Sequence, residues 1–290
     1  MPNTILVTGA NGQLGSELRL LSDTYPQYTF TFTDRNTLDL GNLCKMEDFF
    51  DHQTFDAIIN CAAYTAVDKA ESEKEYANAV NHRFVSMLAK IAKRDNASLI
   101  HISTDYVFDG TNHRPYVETD PTDPQGVYGM TKRDGENAIL SAAPKNCAII
   151  RTSWVYSSFG ANFVKTMLRL GRERDTLGVI YDQVGTPTYA RDLARAILEI
   201  LPQLQNDAPE IYHYSNEGVA SWYDFARAVF ELSGIACRVD PITTEQYPTP
   251  AKRPHYSLLN KAKIKSRFGI SIPYWRDALK ECLTELGENR

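Results

Sequence analysis

The 290-residue sequence holds only five cysteines, Cys44, Cys61, Cys147, Cys237 and Cys282, an odd number with no CxxC pair. That usage excludes a disulfide scaffold and a cysteine-built metal site, and it predicts a reducing, cytoplasmic compartment. Long apolar runs are also missing. Ile5-Leu6-Val7 breaks off at Thr8-Gly9, too short for a signal-peptide core, and no stretch approaches the roughly 20 apolar residues that span a bilayer. Neither sign of charge dominates: 31 Lys and Arg stand against 36 Asp and Glu, a net charge of −5. This excludes an extended surface for nucleic acid or an anionic membrane, but leaves room for a local pocket that takes a small phosphorylated ligand. The six histidines, His52, His82, His101, His113, His213 and His255, fall at no metal-ligand spacing, so no metal site is expected. There is no internal repeat, nucleophile elbow or phosphate-binding P-loop.

What remains is an ordinary globular composition, 43% hydrophobic and 23% charged, at a length where one core stops growing and a second lobe forms. Short apolar runs at Thr4–Thr8, Thr29–Thr33, Ala57–Asn60, Ser98–Ser103 and Cys147–Thr152 read as strands. Between them, Leu14–Leu21, Leu43–Phe50, Glu75–Arg94 and Tyr128–Ala142 carry apolar residues at helical spacing. Strands alternating with helices predict an α/β fold: a Rossmann-type parallel sheet flanked by helices. Residues 1–155 form the first lobe, with 186–205, including the helix Tyr189–Leu201, returning to it. Residues 156–185 and 206–290 form a smaller C-terminal α/β lobe, a mixed cap that includes Ile211–Tyr214, a helix capped by Ser221 and Asp224 and ended by Gly234, and Pro241–Pro254.

Gly9, Gly12 and Gly15 stand between the first strand and its helix, where a pyrophosphate must approach backbone N–H groups and a side chain would obstruct it. About twenty residues on, at the end of the second strand, the Asp34 carboxylate suits a ribose 2′-hydroxyl and the Arg35 guanidinium suits adenine and a 2′-phosphate, so both NADH and NADPH are candidates. The small residues of Cys61-Ala62-Ala63 let a dinucleotide lie on the backbone, with Tyr64 and Thr65 facing it. Tyr128 and Lys132 are four residues apart, so a helix presents both on one face. A phenol is a poor proton shuttle at neutral pH unless a neighbouring ammonium favours its phenolate, and Lys132 is expected to lower the Tyr128 pKa in this way while holding the nicotinamide ribose. Ser103-Thr104-Asp105 ends the preceding strand at the cofactor crevice, which makes Thr104 the third catalytic residue, a hydroxyl for the substrate carbonyl or the phenol.

With these motifs in place, the chain resembles the dTDP-4-dehydrorhamnose reductases of the extended short-chain dehydrogenase/reductase superfamily. The likeness runs through Gly9-Ala-Asn-Gly-Gln-Leu-Gly15, Asn60-Cys-Ala-Ala-Tyr-Thr-Ala-Val-Asp-Lys-Ala-Glu71, Ser103-Thr-Asp-Tyr-Val-Phe-Asp-Gly110, Tyr128-Gly-Met-Thr-Lys132 and Arg151-Thr-Ser-Trp-Val-Tyr156. It continues in Asn162-Phe163, Asp182-Gln-Val-Gly-Thr-Pro-Thr188 and Tyr247-Pro-Thr-Pro-Ala-Lys-Arg-Pro254 followed by Ser257. The resemblance implies reduction of the C4 keto group of dTDP-4-dehydro-L-rhamnose by NADPH or NADH, giving dTDP-L-rhamnose for cell-surface polysaccharide, with Tyr128 supplying the proton. It implies further cofactor contacts at Asn11, Gln13, Leu14, Asp39 and Leu40, a substrate site at Thr65, Val67, Thr104, Asp105, Tyr106, Trp154, Asn162 and Arg253, and a second lobe that binds the sugar nucleotide. A related dehydratase needs an acidic residue where this chain has Tyr106, which favours reduction without dehydration. A sugar-nucleotide dehydratase or epimerase is one alternative; a non-catalytic dinucleotide-binding subunit, like the β subunit of methionine adenosyltransferase, is another. Members that dimerise through magnesium use glutamates: Glu17 matches the first, Arg191-Asp192 occupies the region of the second, and the third has no counterpart. A homodimer, if formed, is therefore expected without a metal bridge. Leu258 stands where relatives often carry arginine, so that contact is missing.

Overall fold

The computed structural model describes residues 3–40 and 42–288; the outermost residues of the two expected lobes, 1–2 and 289–290, lie outside the described residues. Strands β1 (Thr4–Thr8), β2 (Thr29–Thr33), β3 (Ala57–Asn60), β4 (Ser98–Thr104), β5 (Cys147–Thr152) and β6 (Glu210–His213) form one sheet in the order β6-β5-β4-β3-β1-β2. Every pair is parallel. A parallel sheet is covered on both faces, which is why β1, β3, β4 and β5 are almost continuously buried. Alternate residues choose the layer. Ile5, Val7, Ile59 and Ile100 pack with Leu14 and Leu18 of the helix Gln13–Ser22 and with Leu193 and Ile197 of the helix Ala190–Ile200. Leu6, Ile58 and Leu99 face Phe84 and Leu88 of the helix Phe84–Asp95 and Ile139 of the helix Val127–Ala142. Strand order reverses between β1 and β3, opening a crevice at their carboxyl ends.

Ile211–Tyr214, expected in the cap, instead lies mostly in β6, the outer strand of the main sheet, paired to β5. Tyr212 joins one core layer and Ile211 packs on the other; four residues are too few for periodicity to show which sheet they enter. Ile264, Phe268, Ile270 and Ile272 also return to the first core. The second core gathers the helices Phe163–Glu173, Trp222–Ser233 and Trp275–Glu285 against the parallel strands Thr176–Ile180 and Arg238–Ile242. Ser221 and Asp224 form a capping box on the middle helix, which ends at Gly234 with φ +64°. The single helix expected over Glu75–Arg94 is interrupted by a π-turn at Ala79–Arg83, a wider turn that brings the Asn81 carbonyl against Gly135. Among the described residues, no helix is long and apolar enough to cross a membrane, and no group of three or more His, Cys, Asp or Glu could hold a metal ion. The Glu17 carboxylate accepts from Arg191 Nε at 2.9 Å and Ser157 Oγ at 2.6 Å, while Arg191 also pairs with Glu285 at 3.0 Å.

Candidate active site

Gly9, with φ +71°, turns the chain out of β1, and a Cβ on it would sit 2.7 Å from Ala62 N. A Cβ on Gly15 would sit 2.3 Å from Gly9 O, so the turn can close only on glycine at these two positions. Gly12 is the N-cap of the helix Gln13–Ser22, and no side chain caps that end. Its first N–H groups are thus left for an anion, a fit to the pyrophosphate of a dinucleotide. Gly9, Asp34, Arg35, Leu40, Ala62 and Tyr64 line a 360 Å³ cleft above this turn, together with Asp39, Ala63 and Thr65. Leu14 is buried in the first core and is not among the residues that line the cleft.

Asp34 is committed to its own turn. Oδ1 accepts from Asn36 N at 2.9 Å and Thr37 N at 3.0 Å, and Oδ2 accepts from Asn11 Nδ2 at 2.7 Å. These bonds hold its carboxyl below the usual range, Thr37 contributing most. Arg35 is exposed with its guanidinium 5.7 Å from the Tyr76 ring centroid, free to meet adenine or a phosphate.

The helix Val127–Ala142 lies over β4. Glu71 caps it from a distant loop, its Oε1 accepting from Val127 N at 2.8 Å, so a carboxylate meets the positive end of the helix. Half-buried Tyr128 packs edge-on against Tyr106, centroids 5.4 Å apart. Lys132, 1% exposed, donates to Ile102 O at 2.7 Å. The expected lowering of the Tyr128 pKa by Lys132 is not found. Burial pushes the phenol up to about 12 against the pull of the Thr104 hydroxyl, because the lysine amine is turned to the β4 backbone. Burial also brings the lysine down to about 8, opposed by Glu136. Thr104 Oγ1 donates to Asp105 Oδ1 at 2.9 Å and accepts from Tyr106 N at 3.2 Å, capping the turn after β4. Asp105 Oδ2 is buried with no hydrogen-bond partner among the described residues, and burial raises that carboxyl to about 6.

The expected substrate residues come from both cores. Trp154 has left-handed backbone, φ +49°, and stacks on Trp222 with centroids 3.7 Å apart. Strain of this kind, about 1–3 kcal/mol, gathers at binding sites. Arg253 lines a 530 Å³ cleft with Trp222 and Tyr247 and holds Asp68 bidentately at 2.8 and 3.2 Å. Asn162 is spent on structure: Oδ1 accepts from Lys165 N at 3.1 Å as a helix cap, and Nδ2 reaches Gln13 Oε1 at 2.9 Å, tying the second lobe to the glycine turn. Thr65 is exposed and Val67 opens the short helix Val67–Ala70. Leu258 is buried, and its carbonyl accepts from Tyr116 N at 2.8 Å.

Sequence reasoning missed Glu71, Asp68 and Asn81. Asn81 accepts from Tyr64 N at 2.9 Å and donates to Thr131 Oγ1 at 3.2 Å, clamping the cofactor-side loop to the helix of Tyr128. Glu71 and Asp68 lie within the quoted motif 60–71, but only tertiary pairing assigns them work.

The chain matches the family model described as the RmlD substrate binding domain over residues 3–288. It is 44% identical to the dTDP-4-dehydrorhamnose reductase of Aggregatibacter actinomycetemcomitans, over 95% of this chain and 97% of that one. The crystal structure of a dTDP-4-dehydrorhamnose reductase from Clostridium acetobutylicum is similar with a TM-score of 0.92 and 41% identity, covering 98% and 99% of the two chains. That of the Bacillus anthracis dTDP-4-dehydrorhamnose reductase in complex with NADP also has a TM-score of 0.92, at 35% identity over 98% and 100%. Matched along almost its entire length in sequence and in fold, the chain belongs to the dTDP-4-dehydrorhamnose reductase family.

Proposed function

We propose that the protein reduces the C4 keto group of dTDP-4-dehydro-L-rhamnose to dTDP-L-rhamnose, using NADPH or NADH. The observation that carries this reading is the helix Val127–Ala142, which sets Tyr128 beside the Thr104 hydroxyl and Lys132 against β4, at the carboxyl end of the sheet that holds the glycine turn. Gly9, Asn11, Gly12, Gln13, Leu14 and Gly15 would hold the dinucleotide, whose nicotinamide would supply the hydride for C4. The residues of the chain do the rest. A phenol raised to about 12 is fully protonated at neutral pH, which suits a donor that releases its proton only as the C4 oxygen becomes basic. Thr104 orients that oxygen, and Lys132 holds the ribose and offsets the charge left on Tyr128. Asp105, Tyr106 and Trp154 wall the sugar, and Arg253, from the second lobe, meets the nucleotide phosphate, so the sugar nucleotide lies between the lobes. The exposed guanidinium of Arg35 suits a 2′-phosphate, and Asp34 Oδ2, which takes one bond from Asn11, keeps a lone pair for a ribose hydroxyl, so the pair supports use of either dinucleotide.

The test is to follow the loss of reduced-nicotinamide absorbance with dTDP-4-dehydro-L-rhamnose made in situ, NADPH and NADH run in parallel. Formation of dTDP-L-rhamnose is expected with both; intact dinucleotide binding without turnover would refute the reading.

A further inference from the structure

A row of buried polar side chains runs behind Lys132. The register pairs Thr8 with Asn60 and Asn60 with His101 across β1, β3 and β4. Thr8 Oγ1 donates to Asn60 Oδ1 at 2.6 Å, Asn60 Nδ2 lies 2.8 Å from His101 Nδ1, and His101 Nε2 lies 3.4 Å from Lys132 Nζ. None of the four is more than 1% exposed.

The directions of these bonds are determined. The Ala62 N–H can only donate, and it meets Asn60 at 3.2 Å, so the atom there is the amide oxygen. The amide nitrogen therefore faces His101 Nδ1, which must accept. Burial keeps His101 neutral, well below its usual range. A neutral imidazole has one acceptor and one donor nitrogen, so Nε2 carries the proton and points an N–H at the lysine. An ammonium cannot accept it. On the core side, among the described residues, the amine has the Ile102 carbonyl as its one acceptor besides His101; with the other tautomer, the Nε2 lone pair would take a second lysine N–H.

We propose that Asn60 and His101 are positioning residues: Asn60 fixes the Nε2–H tautomer of His101, and that N–H denies Lys132 a second acceptor in the core, leaving its amine to the dinucleotide ribose and Tyr128. The inference rests on the role given to Lys132 above. The other charged groups around the amine leave this intact. Glu136, one turn along the same helix, is held by Arg151 from β5 at 2.7 Å and by Ser103 from β4 at 2.5 Å. Asp105 and Tyr128 stand at the cleft end.

Side-chain 15N NMR of the full labelled chain, with and without NADPH, reads the tautomer, His101 being assigned by its loss in His101→Gln. A pyridine-type Nδ1 and a pyrrole-type Nε2, unchanged across neutral pH, are expected; the reverse pattern or an imidazolium overturns the proposal. In Asn60→Asp the carboxylate can only accept, so Nδ1 takes the proton and Nε2 captures Lys132. The tautomer should invert, KM for NADPH should rise about tenfold, and the limb of the kcat/KM pH profile governed by Lys132 should move to higher pH, while KM for the sugar nucleotide stays. Inversion with the NADPH KM and the profile unmoved would also overturn it. The spectrum of the unsubstituted chain decides the tautomer even where Asn60→Asp does not fold. A chain that turns over with a pyridine-type Nε2 defeats this inference alone, whereas a chain with no turnover defeats the reading of the reaction.

Discussion

One helix buries two opposite charges a turn apart and treats them differently. Glu136 accepts from Arg151 Nε at 3.0 Å, Arg151 Nη2 at 2.7 Å and Ser103 Oγ at 2.5 Å. Among the described residues Lys132 has one short bond, to a backbone carbonyl. A buried charge met on every side works as a joint between elements, while one left short of partners is held for a ligand. The contrast lies on a helix whose sequence pattern is uniform, so function here is read from unmet bonding capacity.

The sharpest break is chemical. Tyr128→Phe keeps the ring and removes the proton; turnover should fall about 10²–10⁴-fold with dinucleotide affinity, read by fluorescence titration, nearly unchanged. Next comes the joint itself. Arg151→Met strands the Glu136 carboxylate and should cost about 3–5 kcal/mol of stability in urea unfolding. Lys132→Met should show no such loss but should weaken NADPH binding; equal losses from both variants would erase the distinction between the two charges.

A third test uses pH. The Lys132 amine is lowered from 10.5 to about 8, so between those values the unfolded chain binds more protons and stability rises with pH. The cost of the buried charge is present at neutral pH and disappears above the window. The thermal midpoint of the natural chain should therefore gain on Lys132→Met from about pH 7 to about pH 10; a constant gap would contradict a buried, charged lysine. Asp105, raised to about 6 from 3.8, acts oppositely: the folded chain binds the extra proton, so its contribution falls as pH rises through that range. The smallest effect belongs to Arg35→Ala, expected to weaken NADPH relative to NADH by roughly 3- to 10-fold in Kd, with Asp34 still tied to Asn11.

The sheet was legible because β1, β3, β4 and β5 are largely apolar runs with glycine or polar ends and β2 alternates threonine with phenylalanine, and the glycine turn because only glycine can stand where Gly9 and Gly15 do. β6 was misplaced because four residues carry no period. The π-turn at Ala79–Arg83 left no mark on helical spacing. Glu71 reaches its helix across 56 residues, and the row Thr8, Asn60, His101 exists only once the register is known. The direction of the Tyr128 shift was wrong because sequence supplies the neighbouring lysine but not the way its amine turns.

The helix of Tyr128 also touches its neighbours backbone to backbone. A Cβ on Gly129 would lie 2.1 Å from Tyr106 O, and one on Gly135 would lie 2.3 Å from Asn81 O. Contacts of this kind have no side chain to repack, so this wall of the site has almost no room to drift. Any change in the shape of the site must work instead through Trp154, stacked on Trp222, and through Trp222 and Arg253 of the second cleft, side chains that can be exchanged one at a time.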